Sequence, residues 1–318
     1  MSMRVSTAQI NSSGTSGIVR LQSDLYTQQN QISTGRRVVT PKDDPVGAAQ
    51  ALVVTQSQSV NALFMKNQET AQTRLNALDA TLDGVNNELS AIYEKAVSAG
   101  NGTYSDAERA AVANELEQRL GSLISLANTQ DGTGRYVFGG FQSTTKPFDL
   151  SGNASPYSLA NPYVSYAGDD GVQMLQVTAS VSMSISSPGS EVFMRAKDSS
   201  GNVTGNSIFD SVKNMVDLLR TPGPSGTSPV YANSLAGIRS SMDSISQVRA
   251  TVGSSLSSLD TLSNTSSDRD VQYKTQLSNL QDLDYASAIT SLSQKKIQLE
   301  ASQTTYMMIA KLSLFDHL

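Results

Sequence analysis

Residues 231–281 read YANSLAGIRSSMDSISQVRATVGSSLSSLDTLSNTSSDRDVQYKTQLSNLQ. Within them Tyr231, Leu235, Ile238, Met242, Ile245, Arg249, Val252, Leu256, Leu259, Ser263, Ser266, Asp270, Tyr273, Leu277 and Leu280 recur in strictly alternating steps of four and three. That spacing puts every member on one face of an α-helix. A seven-residue repeat sustained this long predicts coiled-coil packing, and at about 1.5 Å rise per residue the helix would run roughly 75 Å. Ser263, Ser266 and Asp270 are a run of consecutive polar members, which predicts a weak joint between two packing regions.

Working outward, proline and glycine mark where other long helices are permitted. Residues 46–146 and 230–318 hold no proline, and ten of the 22 glycines lie between Gly132 and Gly205. Proline breaks helix interiors, so helices belong on either side of a glycine-rich middle. From Val60 a second stripe runs Phe64, Asn67, Ala71, Leu75, Leu78, Leu82, Val85, Leu89, Ile92, Ala96 and Ala99. Its start is marked by Asp44-Pro45, an N-cap acceptor before a first-turn proline, and its end by Gly100-Asn101-Gly102. A third helix is predicted from Ser105, with Glu108 completing a capping box and a stripe of Ala113, Leu116, Leu120, Leu123 and Ala127. In the middle the period changes to two at Val181, Met183 and Ile185. Tyr163–Tyr166 and Val172–Val177 flank Gly168-Asp169-Asp170-Gly171, which reads as a hairpin turn. A short amphipathic helix follows over about 207–220, then the loop TPGPSGTSP.

The two ends carry thinner stripes: Ile18, Leu21, Leu25, Gln28 and Ile32 at one, Ile289, Leu292, Leu299 and Tyr306 at the other. Both ends are rich in Gln, Ser and Thr, and a lone helix of this kind is marginal in water. Each needs a partner helix, either the opposite end or a neighbouring copy. The fold expected is mainly α: a long antiparallel coiled coil or bundle formed by both termini, with a small inserted β domain. The division expected is 1–40 with 278–318 as the terminal coiled coil, 41–138 with 206–277 as a helical bundle, and 139–205 as the β-rich part. Assembly candidates are Ile18, Leu21, Leu25, Ile32, Leu277, Leu280, Ile289, Leu292 and Leu299.

Composition narrows the function. The 318 residues carry a formal net charge of −5, only 16% charged side chains, no Cys and one His. Disulfides, thiolate metal sites and cysteine nucleophiles are excluded, as is a cluster of several histidines on a metal. A mildly acidic chain is a poor nucleic-acid binder. The start, MSMRVSTAQINSSGTSG, lacks the apolar core of a secretory signal, and no apolar run approaches a membrane span. Asp43-Asp44 reads as a capping device rather than an acid–base pair, and His317 lies at a frayed end. Ser143-x-x-Lys146 and Ser293-x-x-Lys296 lack the companion elements of a serine hydrolase. Gly132-Thr133-Gly134 lacks the rest of a nucleotide loop. Asp169-Asp170-Gly171 lacks the spacing of an EF-hand. The expectation is therefore no enzyme, no cofactor and no metal.

Two terminal motifs resemble the paired ends of the bacterial flagellin family. One is Ile32-Ser33-Thr34-Gly35-Arg36-Arg37-Val38 with Lys42-Asp43-Asp44-Pro45 and Gly47-Ala48. The other is Leu280-Gln281-Asp282-Leu283-Asp284-Tyr285-Ala286, with Arg249-Ala250 and Gly253 upstream. Gly134-Arg135-Tyr136-Val137-Phe138-Gly139-Gly140, running on to Pro147-Phe148, is similar to the branch that joins hook to filament. Tyr166-Ala167-Gly168-Asp169 and Gly189-Ser190-Glu191-Val192-Phe193 extend that similarity. The family start matches Met3-Arg4, after Met1-Ser2. Gly35, Arg37, Asp43, Asp44, Pro45, Asp284 and Tyr285 are the motif residues carried over. The resemblance implies an extracellular structural adaptor of the flagellum, exported through the type III channel with an export chaperone and no cleaved signal peptide. It implies a ring-like homo-oligomer between a first hook-associated junction protein and flagellin, with no nucleic acid and no membrane insertion. The filament subunit itself, flagellin, is the alternative.

Overall fold

A computed structural model describes residues 7–195, 206–223 and 226–315. The expectations that fall on Met3-Arg4, Gly205, Pro224 and His317 lie outside these residues. The elements in order are α1 (Thr7–Thr34), α2 (Pro45–Ala99), α3 (Asp106–Ala127), β1 (Phe148–Leu150), β2 (Val164–Tyr166), β3 (Met174–Gln176), β4 (Ser182–Ser184), a π-helical turn (Ser190–Met194), α4 (Ile208–Arg220), α5 (Pro229–Gln281) and α6 (Tyr285–Phe315). The fold is mainly helical with a small β insert. The chain divides into two compact units: one holds the chain up to Ala62 and from Asp268 on, the other is Leu63–Ser267. The divisions fall inside α2 and α5, not at the expected 40/41 and 277/278, and the described part of 139–205 belongs to the larger unit.

In that larger unit the helical stripes do what their spacing dictates. Ala71 through Ala99 on α2, Ala113 through Ala127 on α3, and Ile238, Ile245, Val252 and Leu259 on α5 form one buried core. Each large aliphatic side chain so buried contributes roughly 1.5–3 kcal/mol. Ser105 caps α3 with the full capping box: its backbone N–H donates to Glu108 Oε2 at 2.8 Å, and Glu108 N–H donates back to Ser105 Oγ at 3.3 Å. Ser207 and Asp210 repeat the device at α4. Arg249, polar in an apolar stripe, reaches across to Asp79 at 3.0 Å and Asp83 at 2.7 Å. The first member of the α2 stripe, Val60, belongs to the smaller unit and faces outward instead, at 44% exposure.

The β insert departs from the expected hairpin. β2 pairs antiparallel with β1, Leu150 opposite Val164, and β3 pairs with β4, Leu175 opposite Met183. The segment 168–171 closes no turn between β2 and β3. Asp169 Oδ1 instead accepts from the backbone of Phe141 at 2.7 Å and Gly171 at 2.9 Å. No residue from 168 to 171 has the positive φ that a type I′ turn needs. The insert packs through an aromatic cluster. Phe138 meets Phe193 edge-on at 4.9 Å, Phe148 lies 5.1–5.5 Å from Tyr166, Phe193 and Phe209, and Tyr166 Oη donates to Phe138 O at 3.0 Å. Gly189 is required here: a Cβ would stand 2.6 Å from Phe148 and 2.9 Å from the Phe138 carbonyl. The Gly134–Phe148 and Gly189–Phe193 motifs are thus packing motifs. Lys146 is paired on the surface with Asp149 at 2.6 Å. Asp131, accepting from the backbone of Thr133 and Arg135, shapes the Gly132–Gly134 turn.

The polar members of the α5 stripe do not interrupt the helix; α5 is continuous from Pro229 to Gln281. Two of them, Ser266 and Asp270, are matched by polar residues of α2. In the larger unit Gln68 Nε2 donates to buried Ser266 Oγ at 3.1 Å, and in the smaller unit Gln58 Nε2 donates to Asp270 Oδ1 at 3.0 Å. The weak joint is a hydrogen-bonded polar seam.

Candidate assembly site in the terminal helices

The smaller unit brings the first and last helices together. α1 and α6 pack side by side and antiparallel: Gln28 meets Lys295 near one end, and Gly14 lies against the Tyr306 ring nearer the other. Ile18, Leu21, Leu25 and Ile32 form the half-buried line of α1, and Leu292, Leu299 and Tyr306 that of α6. Among the described residues of these helices only Gln28 and Ala288 are buried. Ile289 stands outside the seam at 53% exposure, because Ala288 takes the inward position.

The motif residues meet in one clasp between the α1–α2 and α5–α6 connections. α1 ends at Gly35, whose φ of +70° is the left-handed stop that favours glycine. The chain then runs antiparallel to residues 281–283. Arg37 N–H donates to Gln281 O at 2.6 Å, Leu283 N–H donates to Gly35 O at 3.0 Å, and Arg36 bridges to Asp282. The Arg37 guanidinium donates to the Leu280 carbonyl at 2.8 Å and pairs with Asp44 at 3.3 Å. Asp43 Oδ2 accepts from Val39 N, Thr40 N and Thr40 Oγ1 at 2.8–3.1 Å. These bonds, the Thr40 amide first, hold its carboxyl below the usual aspartate range. Asp44 Oδ1 caps α2 by accepting from Gly47 N at 2.8 Å, which with Arg37 lowers its pKa as well. Pro45 opens α2. Asp284 caps α6 through Ala286 N at 3.1 Å, and Tyr285 lays its hydroxyl over Gly35. All seven motif residues therefore serve to join two connections and to start and stop four helices.

Next to the clasp α2 exposes apolar side chains. On α2, Val46 and Val53 are 67% and 65% exposed, seven residues apart, with Val60 seven further on. Gly47, Ala51, Val54, Gln58 and Asn61 take the inward positions. Between 46 and 60 this helix thus shows its more apolar heptad line to solvent and turns a partly polar one inward. A groove of about 610 Å³ beside it is lined by Ala49, Gln50, Val53, Val54, Gln276, Asn279 and Leu280. Leu277 is half-buried one turn before Leu280. The outward line was missed in sequence because two overlapping heptad registers run through 46–61; the signal was the Val46, Val53, Val60 spacing itself. Among the described residues no helix is long and apolar enough to cross a membrane.

Residues 5–143 match the family described as the bacterial flagellin N-terminal helical region, and residues 235–317 match the bacterial flagellin C-terminal helical region. The flagellar hook-associated protein 3 of Salmonella typhimurium is 32% identical over 332 aligned positions, spanning 99% of each chain. That of Escherichia coli is 30% identical, again over 99% of each. Flagellins align over only 34% of this chain and 21% of their own length. In fold, a solved putative flagellar hook-associated protein from Vibrio parahaemolyticus superposes with a TM-score of 0.65 at 20% identity, covering 76% of this chain and all of its own.

Proposed function

The chain belongs to the flagellar hook-associated protein 3 family, and from that premise we propose that it is a non-enzymatic adaptor at the hook–filament junction. It takes its place in the flagellum as a ring of identical copies, with a first hook-associated junction protein on one side and flagellin on the other. The observation that carries the reading is the clasped terminal unit. That unit holds α1 and α6 side by side, yet leaves Val46, Val53, Ile289 and Ile297 more than half exposed. Large apolar side chains left exposed in heptad-spaced positions on α2, beside a groove of the same helix, suit a surface that other protein covers. Ile18, Leu21, Leu25, Ile32, Leu277, Leu280, Leu292 and Leu299, all partly buried in one chain, complete their burial against neighbours.

Export fits the same picture. The chain has no cysteine to cross-link it, and its end helices are too thinly buried to be stable alone. It is read as a substrate of the flagellar type III apparatus, kept from premature pairing by a chaperone. Gold-labelled antibody against the protein on isolated flagella tests the placement. The expected label is one band where hook meets filament. Label along the whole filament would overturn the adaptor in favour of flagellin.

A further inference from the structure

The α1–α6 seam has a self-similarity that its hydrophobic residues cannot resolve. Ile18, Leu25 and Ile32 are seven apart on α1, and Leu292, Leu299 and Tyr306 are seven apart on α6. Sliding one helix past the other by a heptad therefore sets apolar or aromatic side chains against each other again. The second line of each helix is different. On α1 it steps from Leu21 to Gln28, and on α6 from Ala288 to Lys295 to Ser302. Gln28 is 8% exposed, and Lys295 Nζ donates to its Oε1 at 3.1 Å.

We propose that Gln28 and Lys295 are the register-determining pair of the terminal helices. A heptad slip in one direction lays the Lys295 ammonium over Leu21 and leaves the Gln28 amide against Ala288. Gln28, at 8% exposure, then has no donor for its amide oxygen, and a buried polar group left without its hydrogen bond is costly. A slip in the other direction carries Lys295 beyond Thr34, the last residue of α1. A single polar pair in an apolar seam thus discriminates between registers at some cost in stability. Because both helices show their outer faces to neighbours, the pair also sets which residues of each end come level on the surface.

The chain has no native cysteine, so engineered pairs report register without background. Gly14→Cys with Tyr306→Cys matches the observed register, where the Gly14 Cβ position lies within 3.9 Å of the Tyr306 ring. Gly14→Cys with Leu299→Cys reports the heptad slip. In the otherwise native full-length chain the matched pair should oxidise at least about tenfold faster than the slipped pair. In a Gln28→Leu/Lys295→Leu background the slipped pair should approach the matched one, while Gln28→Glu, which keeps an acceptor for the ammonium, should restore the native pattern. Retention of the matched cross-link alone in the double leucine variant would show that the clasp suffices and would overturn the proposal. Equal rates in the native chain would overturn it as well.

Discussion

Gly35 and Tyr285 touch where the two ends of the chain are tied. An alanine at position 35 would have to adopt φ near +70°, and its Cβ would stand 2.9 Å from the Tyr285 hydroxyl. Left-handed backbone costs an L-residue roughly 1–2 kcal/mol, so Gly35→Ala should lower the stability of the terminal unit by about that much, read as a shift in the urea midpoint. Tyr285→Phe combined with Gly35→Ala should recover the part that arises from the hydroxyl contact. Asp43 and Asp44 add a pH dependence of definite sign. Their native pKa values lie below the unfolded one, through the amides of Thr40 and Gly47. Their contribution is complete above the ordinary aspartate value of about 3.9 and is lost as pH falls through the lowered native values. Protection of the Thr40 and Gly47 amides, taken relative to the intrinsic exchange rate at each pH, should fall over that acidic window, and Asp43→Asn with Asp44→Asn should flatten the response. An unchanged profile in the doubly substituted protein would refute the assignment.

The helices show how far pattern reading goes. The stripes over 71–99 and 113–127 were legible because every inward residue is apolar and every partner face belongs to the same chain. Ser105–Glu108 and Asp44-Pro45 were legible because capping chemistry is local. The β insert was less so. Asp169-Asp170-Gly171 carries turn residues, but Asp169 is engaged by the loop at Phe141, twenty-eight positions away, and no local rule contains that partner. The clasp was legible as a set of motifs and not as a geometry, since Gly35 and Leu283 meet only through the fold. Val46, Val53 and Val60 were hidden for a different reason: periodicity shows that a helix has an apolar face, not whether that face meets its own chain or another. Two substitutions separate those cases. Phe148→Ala, inside the aromatic cluster, should cost about 3–5 kcal/mol in denaturant unfolding of the isolated chain. Val53→Asp, on the outward line, should change isolated-chain stability by no more than about 0.5 kcal/mol yet block assembly. Leu280→Asp and Leu25→Asp should act in the same sense, impairing assembly more than the isolated chain. Normal motile flagella built from all three Asp variants would remove the interface assignment.

At the scale of the molecule, the two units differ in how they are held. The larger one has a continuous apolar core, whereas the paired ends bury little of their own surface. Ordering a residue costs about 1–2 kcal/mol in backbone entropy alone, which the thin α1–α6 seam offsets poorly until neighbours cover it. Helicity per residue, measured by circular dichroism, should therefore rise from the isolated protein to the assembled junction; equal helicity would contradict ordering on assembly. The low charge, the single His and the abundance of Ser and Gln suit a chain whose ends stay soluble until they are buried among copies. The adaptor role itself is tested most directly by the fate of flagellin in a strain lacking this gene. The account predicts hooks without filaments and flagellin monomers accumulating in the medium. Filaments of normal length on those hooks, or a medium free of flagellin, would contradict it.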